Sequence, residues 1–238
     1  MSDLLQEILQ AHGGARRWNE IQTITAHQSV GGVLWALKQS EGVVDDAIVT
    51  VRLHDEWASH SPFTGPDRHS VFTPERVAIE DANGNVIEEL QGPRESFAGH
   101  ELTTPWSRLQ LAYFAGYAMW TYLTEPFHLT LSGVETEALD TWSEDGETWR
   151  RLRVTYPETI ATHSPEQILY VDSDGLLRRR DYEVDIAGGA PAVHYSSNHR
   201  EVAGIIIPTT RTVYVRDPEG HKTETIVVTI ELDDIKVG

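Results

Sequence analysis

The strongest constraint on the fold is a series of short strand-like runs that fill the C-terminal half of the chain. They lie at 147–157, 166–173, 176–186, 191–203, 205–217 and 222–235. In the last run Ile226, Val228, Ile230 and Leu232 alternate with other residues, which is typical of a strand with one buried face. Turn pairs such as Asp174-Gly175 separate the runs, as in β-hairpins. The pattern predicts a mainly β structure built from antiparallel strands.

One segment, at about 105–122, breaks this pattern. Thr104 is a candidate N-cap, Pro105 suits the first helical position, and the residues as far as Trp120 are apolar nearly all round. A lone helix of this kind must be buried on most sides, and the concave face of a curved sheet can bury it. A second, amphipathic helix is predicted at the N-terminus, from the helical spacing of Leu4, Leu5, Ile8 and Leu9.

Three fragments resemble the half-barrel superfamily that includes the LolA-like and LolB-like bacterial lipoprotein carriers. They are a double glycine before a strand at 11–21, a strand, turn and Leu-x-Arg strand at 168–178, and a glycine turn followed by proline at 201–208. The resemblance implies an α+β fold, mainly β, in which an open antiparallel half-barrel of about eleven strands surrounds one or more helices. It also implies a concave apolar cavity that holds lipid or another hydrophobic molecule. No repeat or linker divides the chain, so we predict one domain over 1–238.

A large excess of acidic side chains limits the partners. The chain has 37 Asp and Glu against 19 Lys and Arg, a net charge of -18, and this charge repels nucleic acid and anionic lipid surfaces. No apolar run approaches the roughly 18 residues of a transmembrane helix. The first residues carry acids where a signal peptide carries bases. We expect a soluble cytoplasmic protein that binds no nucleic acid and does not insert stably into membranes, and the oligomeric state stays open.

Familiar cofactor chemistry has no matching motif. The chain contains no cysteine and lacks the P-loop, the dinucleotide fingerprint, the serine hydrolase elbow and the zinc-protease helix. A weaker metal hypothesis combines His54 and Glu56, on one face of a strand, with His60 or His69. Because that spacing has no family signature, we predict neither a metal nor a cofactor.

A group of histidines and one arginine could carry acid-base chemistry. His163, His194 or His199, and Arg211 fall on neighbouring strands and could supply a general base and an anion-binding fork. His194 and His199 are five residues apart, so only one of them can face the cavity of a regular strand. The sequence leaves open which set faces inward: His194, Ser196, Asn198 and Arg200, or Tyr195, Ser197, His199 and Glu201.

The aromatic residues of the predicted helix favour a hydrophobic ligand, since they could form the walls of a cavity with hydroxyls for orientation. The loop before the helix would lie at the mouth and could act as a lid. The predicted ligand-binding residues are Phe97, His100, Trp106, Tyr113, Phe114, Tyr117, Trp120 and Tyr195. We therefore predict binding of a small hydrophobic or aromatic molecule, with a cofactor-free lyase, isomerase or hydrolase as the alternative.

Overall fold

Thirteen antiparallel strands form one continuous sheet in the computed structural model, which describes residues 3–238. The strands are β1 (Thr23–Gly31), β2 (Asp46–Arg52), β3 (Trp57–Ser61), β4 (Arg68–Thr73), β5 (Arg76–Asp81), β6 (Val86–Gln91), β7 (Glu135–Glu144), β8 (Glu147–Thr155), β9 (Glu166–Val171), β10 (Leu177–Val184), β11 (Ala190–Val202), β12 (Ile205–Arg216) and β13 (Lys222–Val237). The α-helices are α1 (Asp3–Ala11), α2 (Gly14–Trp18), α3 (Leu34–Leu37) and α4 (Arg108–Thr124), and short 3₁₀ turns occupy Pro93–Phe97, Phe127–Thr130 and Asp185–Ala187.

The sheet is open, and its two edges come from the middle of the chain. Its strand order is β6-β5-β4-β3-β2-β1-β13-β12-β11-β10-β9-β8-β7, so β1 pairs with β13 at the centre while β6 and β7 are the edges. The predicted open antiparallel half-barrel is confirmed. The sheet has thirteen strands where about eleven were expected.

The buried helix α4 lies on the concave face of the sheet, mainly against β3, β4 and β5. It begins at Arg108, later than the sequence indicated, because Ser107 and not Thr104 caps it. The Gln110 amide donates to Ser107 Oγ at 3.2 Å, and the Ser107 amide donates to Gln110 Oε1 at 2.9 Å. Almost every residue of α4 is buried, as its apolar sequence predicts. A Cβ on Gly116 would overlap the Phe72 ring, so this glycine lets α4 lie directly against β4.

Helices lie at both ends of the half-barrel. At one end α1 and α2 pack on the strand turns: Gly13, with φ +113°, lies against the Gly204 carbonyl, and the Ile206 amide donates to the His12 carbonyl at 3.1 Å. At the other end lies α3, which follows β1 directly. Within residues 3–238, no helix is both long enough and apolar enough to cross a membrane.

Candidate ligand-binding cavity

A cavity of about 150 Å³ lies between α4 and the central strands. An apolar cavity of this size is large enough for a benzene-sized molecule. The helix contributes one wall and β1, β11, β12 and β13 contribute another. The principal apolar residues that line the cavity are Val30, Phe114, Ala115, Ala118, Met119, Ala192, Val213, Val228 and Ile230.

The mouth of the cavity is at the α3 end of the half-barrel. Val33 and Leu37 line it and are 45% and 37% exposed. Trp106 lines the same end, and its ring lies 4.6 Å from that of Phe114. Lys38 holds the adjoining loop in place, since its ammonium donates to the carbonyls of residues 101 and 104 at 3.0 and 3.1 Å. The entrance is therefore apolar and structurally supported.

Gln28 and His60 are polar side chains of the cavity wall with unpaired atoms, and the Nε1 of Trp106 at the mouth is also buried without a partner. His60 is fully buried, and neither of its ring nitrogens has a hydrogen-bond partner. Gln28 is 1% exposed; its Nε2 donates to the Val44 carbonyl at 3.1 Å, but its Oε1 is unpaired. Both side chains line the cavity. Burial lowers the pKa of His60 to about 4, so the ring is neutral at pH 7.

A third buried histidine, His163, also lines the cavity but has partners at both nitrogens. Its Nδ1 is 3.2 Å from the Tyr117 hydroxyl, and its Nε2 is 2.7 Å from the Tyr122 hydroxyl. The Tyr182 ring stacks on the imidazole with 4.1 Å between centroids. Burial, reinforced by Arg180 and Arg94, lowers the pKa of His163 well below its ordinary value. The imidazole is held as a neutral, fully hydrogen-bonded group.

His194 and Arg211 lie next to this histidine on the concave face. Arg211 Nη1 is 3.3 Å from His194 Nε2 and donates to Ser196 Oγ at 3.1 Å, and its Nη2 donates to the Tyr122 carbonyl at 2.8 Å. Burial, then the charge of Arg211, lowers the pKa of His194 well below its ordinary value. The set that faces inward on β11 therefore includes His194 and Ser196.

A buried ion cluster completes the polar half of the concave face. Glu125, directly after α4, accepts from Arg180 of β10 and lies 3.7 Å from Arg211 of β12. All three side chains are at most 4% exposed. The cluster fastens the C-terminal end of α4 to the sheet, and the cavity occupies the space toward the other end of the helix.

The structure does not bring all predicted catalytic residues together. His163, His194 and Arg211 belong to one cluster, but His199 lies near α1, where its Nε2 donates to the Leu177 carbonyl at 3.0 Å and its ring is 6.3 Å from that of His12. Asn198, between the two histidines, has a φ of +52°, so β11 is irregular there, and His199 packs under α1 and not beside His163.

The predicted ligand-binding residues also divide. Trp106 and Phe114 line the cavity, whereas the other six do not. Phe97, His100 and Tyr113 pack together beside the entrance, with Phe97 5.4 Å from His100 and 5.7 Å from Tyr113. Tyr117 is behind the wall with His163.

Two of these six lie farther away. Trp120 Nε1 donates to the carbonyls of residues 52 and 55, at the far end of α4. Tyr195 is on the outer face of the sheet, where its hydroxyl bonds to Glu144 and its ring lies 5.7 Å from the Arg179 guanidinium. The spacing of aromatic residues along α4 could not show which of them line the cavity and which belong to the core, because α4 is buried on every side.

The residues of the metal hypothesis do not converge. His54 donates to the Ile21 carbonyl at 2.8 Å, the Glu56 carboxylate accepts from the Ala161 amide at 3.2 Å, and His69 is 3.5 Å from Glu80. His60 faces the cavity. Across residues 3–238 no group of three or more histidine, aspartate or glutamate side chains could hold a metal ion.

Sequence reasoning missed Gln28, Glu125, Arg180 and Tyr182, and it assigned His60 only to a metal. The sequence carries a signal for two of these residues, Gln28 and His60. Gln28 continues the inward series Ile24, Ala26, and His60 shares a face with Ala58, so each is a polar residue at a position where the alternation requires an apolar one.

Comparison with solved structures agrees with this architecture. A LolA superfamily protein from Nitrosomonas europaea matches with a TM-score of 0.52 and 13% identity over 98% of this chain and 93% of the other. The chain has a LolA-like fold. A DUF1329 family protein from Desulfovibrio piger shares this LolA-like fold with a TM-score of 0.54 and 13% identity, over 98% of this chain and 91% of that one. No family model and no curated protein matches the sequence.

Proposed function

We propose that this LolA-like protein binds a small hydrophobic molecule in the cavity beneath α4. The observation that carries the proposal is the apolar cavity with an apolar entrance, where Val33 and Leu37 are exposed. Contiguous apolar surface that leads into an apolar cavity is typical of a site that binds a hydrophobic molecule. The cavity wall is nearly all aliphatic and aromatic, so burial of an apolar ligand would contribute about 25 cal/mol for each Å² removed from water.

The alternative, an enzyme with a histidine base, has less support. A neutral imidazole has one donor and one acceptor, and both nitrogens of His163 face tyrosine hydroxyls. The lowered pKa values of His163 and His194 make both rings weak bases. The Arg211 guanidinium is directed at His194, Ser196 and the end of α4. The hydrogen bonds of His163, His194 and Arg211 are therefore made to other groups of the protein, and Arg211 holds the end of α4 in place.

Filling the cavity tests the proposal. Ala118 lines the cavity from α4 and is 4% exposed, and we expect Ala118→Phe to occupy the space that the ligand needs. Toluene is the probe, titrated calorimetrically. It should bind the wild type and fail to bind Ala118→Phe. The control is Ala138→Phe, at an exposed position of edge strand β7, which should bind toluene like the wild type. Equal binding by all three proteins would contradict the proposal.

The natural ligand and the cellular location of the protein need separate measurements. Native mass spectrometry of the purified protein should show an added organic mass that disappears on denaturation. We also propose that the protein acts in the cytoplasm, where its net charge of -18 disfavours adsorption to anionic membranes. Fractionation of cells that express the natural gene tests this location, and recovery outside the cytoplasm would overturn it.

A further inference from the structure

Three side chains of the cavity wall carry buried polar atoms without a hydrogen-bond partner: Gln28 and His60, and Trp106 at the mouth. An unpaired buried polar group costs about 1–3 kcal/mol, so buried polar groups normally have partners. The Nε2 of Gln28 does have one, while its Oε1 has none. Both nitrogens of His60 are unpaired although the ring is fully buried. Because both side chains line the cavity, a ligand there is in a position to complete their hydrogen bonds.

The Gln28 and His60 side chains lie inward from the entrance of the cavity. β1 runs toward the mouth, and Ala26, Gln28 and Val30 follow one another on its concave face. Through β2, His60 is in register with Ala26, since His60 pairs with Val49 and Val49 pairs with Ala26. From the entrance inward the order along the sheet is therefore Val30, Gln28, His60. Gln28 and His60 therefore lie at the inner part of the cavity, and the mouth is apolar apart from the unpaired Nε1 of Trp106.

The electrostatics of the cavity select an uncharged polar group. Among the described residues that line the cavity, none is aspartate, glutamate, lysine or arginine. The two histidines in the wall have pKa values lowered by burial and are neutral at pH 7. A carboxylate, phosphate or ammonium would lose its hydration there without a counter-charge, which is strongly unfavourable. A neutral imidazole and an amide oxygen offer one donor and two acceptors, which a hydroxyl group complements.

We infer that the ligand is an uncharged amphipathic molecule, an aromatic or aliphatic body with a hydroxyl group, bound with the hydroxyl inward at His60 and Gln28. The inference rests on the proposed function and specifies its ligand class. The apolar body lies between Phe114 and Val30 and extends toward Trp106 at the entrance. The ligand is therefore bound with its hydroxyl end deep in the cavity and its apolar end toward the entrance.

Phenol and toluene test the inference, because they are nearly equal in size and differ in the hydroxyl. Dissociation constants for both are measured calorimetrically with the wild type and with His60→Leu. Loss of a hydrogen bond to the hydroxyl should weaken phenol about five- to tenfold and leave toluene unchanged or slightly tighter. Gln28→Leu is a second variant with the same expected direction, and His69→Leu, outside the cavity, should change neither constant.

The outcomes separate the inference from the proposed function. If neither compound binds the wild type, cavity binding is wrong and the inference falls with it. If both bind and the ratio of their constants is the same in His60→Leu, Gln28→Leu and the wild type, the ligand class is wrong while cavity binding stands. A crystal structure of the wild type with phenol needs no variant. A hydroxyl within about 3.2 Å of His60 or Gln28 supports the inference, and a hydroxyl at the mouth overturns it.

Discussion

The substitution Glu125→Gln should destabilise the protein more than any exposed charge substitution. Glu125 is the single carboxylate within ion-pair distance of Arg180 and Arg211 in the described part of the chain, and all three side chains are buried. Glutamine keeps the shape and one acceptor oxygen but removes the negative charge. Two guanidinium groups would then share a buried site without a counter-charge.

The expected cost follows from this geometry. Removing one partner of a buried ion pair costs about 3–5 kcal/mol, because the remaining charge stays desolvated. For a domain of this size, each kcal/mol lowers Tm by about 2–4 °C, so Glu125→Gln should lower Tm by about 6–20 °C. The pair formed by Arg153 and Glu137 is the matched control, with side chains 38% and 66% exposed. Glu137→Gln should cost at most about 1 kcal/mol.

Acid titration gives a second readout of the same cluster. Burial alone would raise the pKa of Glu125, but attraction by Arg180 and Arg211 outweighs burial and lowers it. Stability from this group is therefore complete above the unfolded pKa of about 4.5 and is lost as the pH falls through the lower folded pKa. Urea unfolding at pH 7 and at acid pH measures both effects. If Glu125→Gln unfolds with the midpoint of Glu137→Gln, the buried cluster does not stabilise the fold.

Two further predictions concern the helix and the sheet centre. Gly116→Ala would stabilise an isolated helix by about 0.5–1 kcal/mol, but here the added methyl group would overlap Phe72. We therefore expect the free energy of unfolding in urea to fall by about 1–3 kcal/mol. An increase would show that α4 can shift away from Phe72. His27 lies between Asp46 and Asp233, at 2.6 and 2.9 Å, and its pKa is raised, first by the hydrogen bond to Asp46. Its contribution to stability is therefore complete below about pH 6.5 and is lost as the pH rises through the folded pKa. An NMR titration should place the midpoint above 6.5 and lower in Asp46→Asn, and an unchanged midpoint would contradict the assignment.

Strand positions in this protein could be predicted from local patterns because hairpins are local structures. The prediction of 147–157 compares with Glu147–Thr155, and that of 222–235 with Lys222–Val237. The start of α4 was misplaced for a physical reason. Pro105 suits a first helical turn, but the reciprocal bonds of Ser107 and Gln110 fix the start three residues later. That capping box is readable in the sequence.

The candidate site was less predictable, since it depends on which elements meet in space. Alternation along β11 leaves open which side faces inward, and the contact with Tyr122 places His194 inside. Nothing local associates Glu125 with Arg180, because the sheet order alone brings them together. Tyr117 and Trp106 are both aromatic residues near or in α4, yet one contacts His163 and the other lines the cavity.

The pairing of β1 with β13 has a kinetic consequence. Each half of the sheet is a meander of local hairpins, whereas this seam joins residues as distant as Ile24 and Val237. Loop closure makes such long-range pairing slow, so the seam should form late in folding. Val30 and Ile230 pair across it and both line the cavity. A bound molecule therefore contacts both halves of the sheet at once, and its main effect should be to slow unfolding, with little change in the rate of folding.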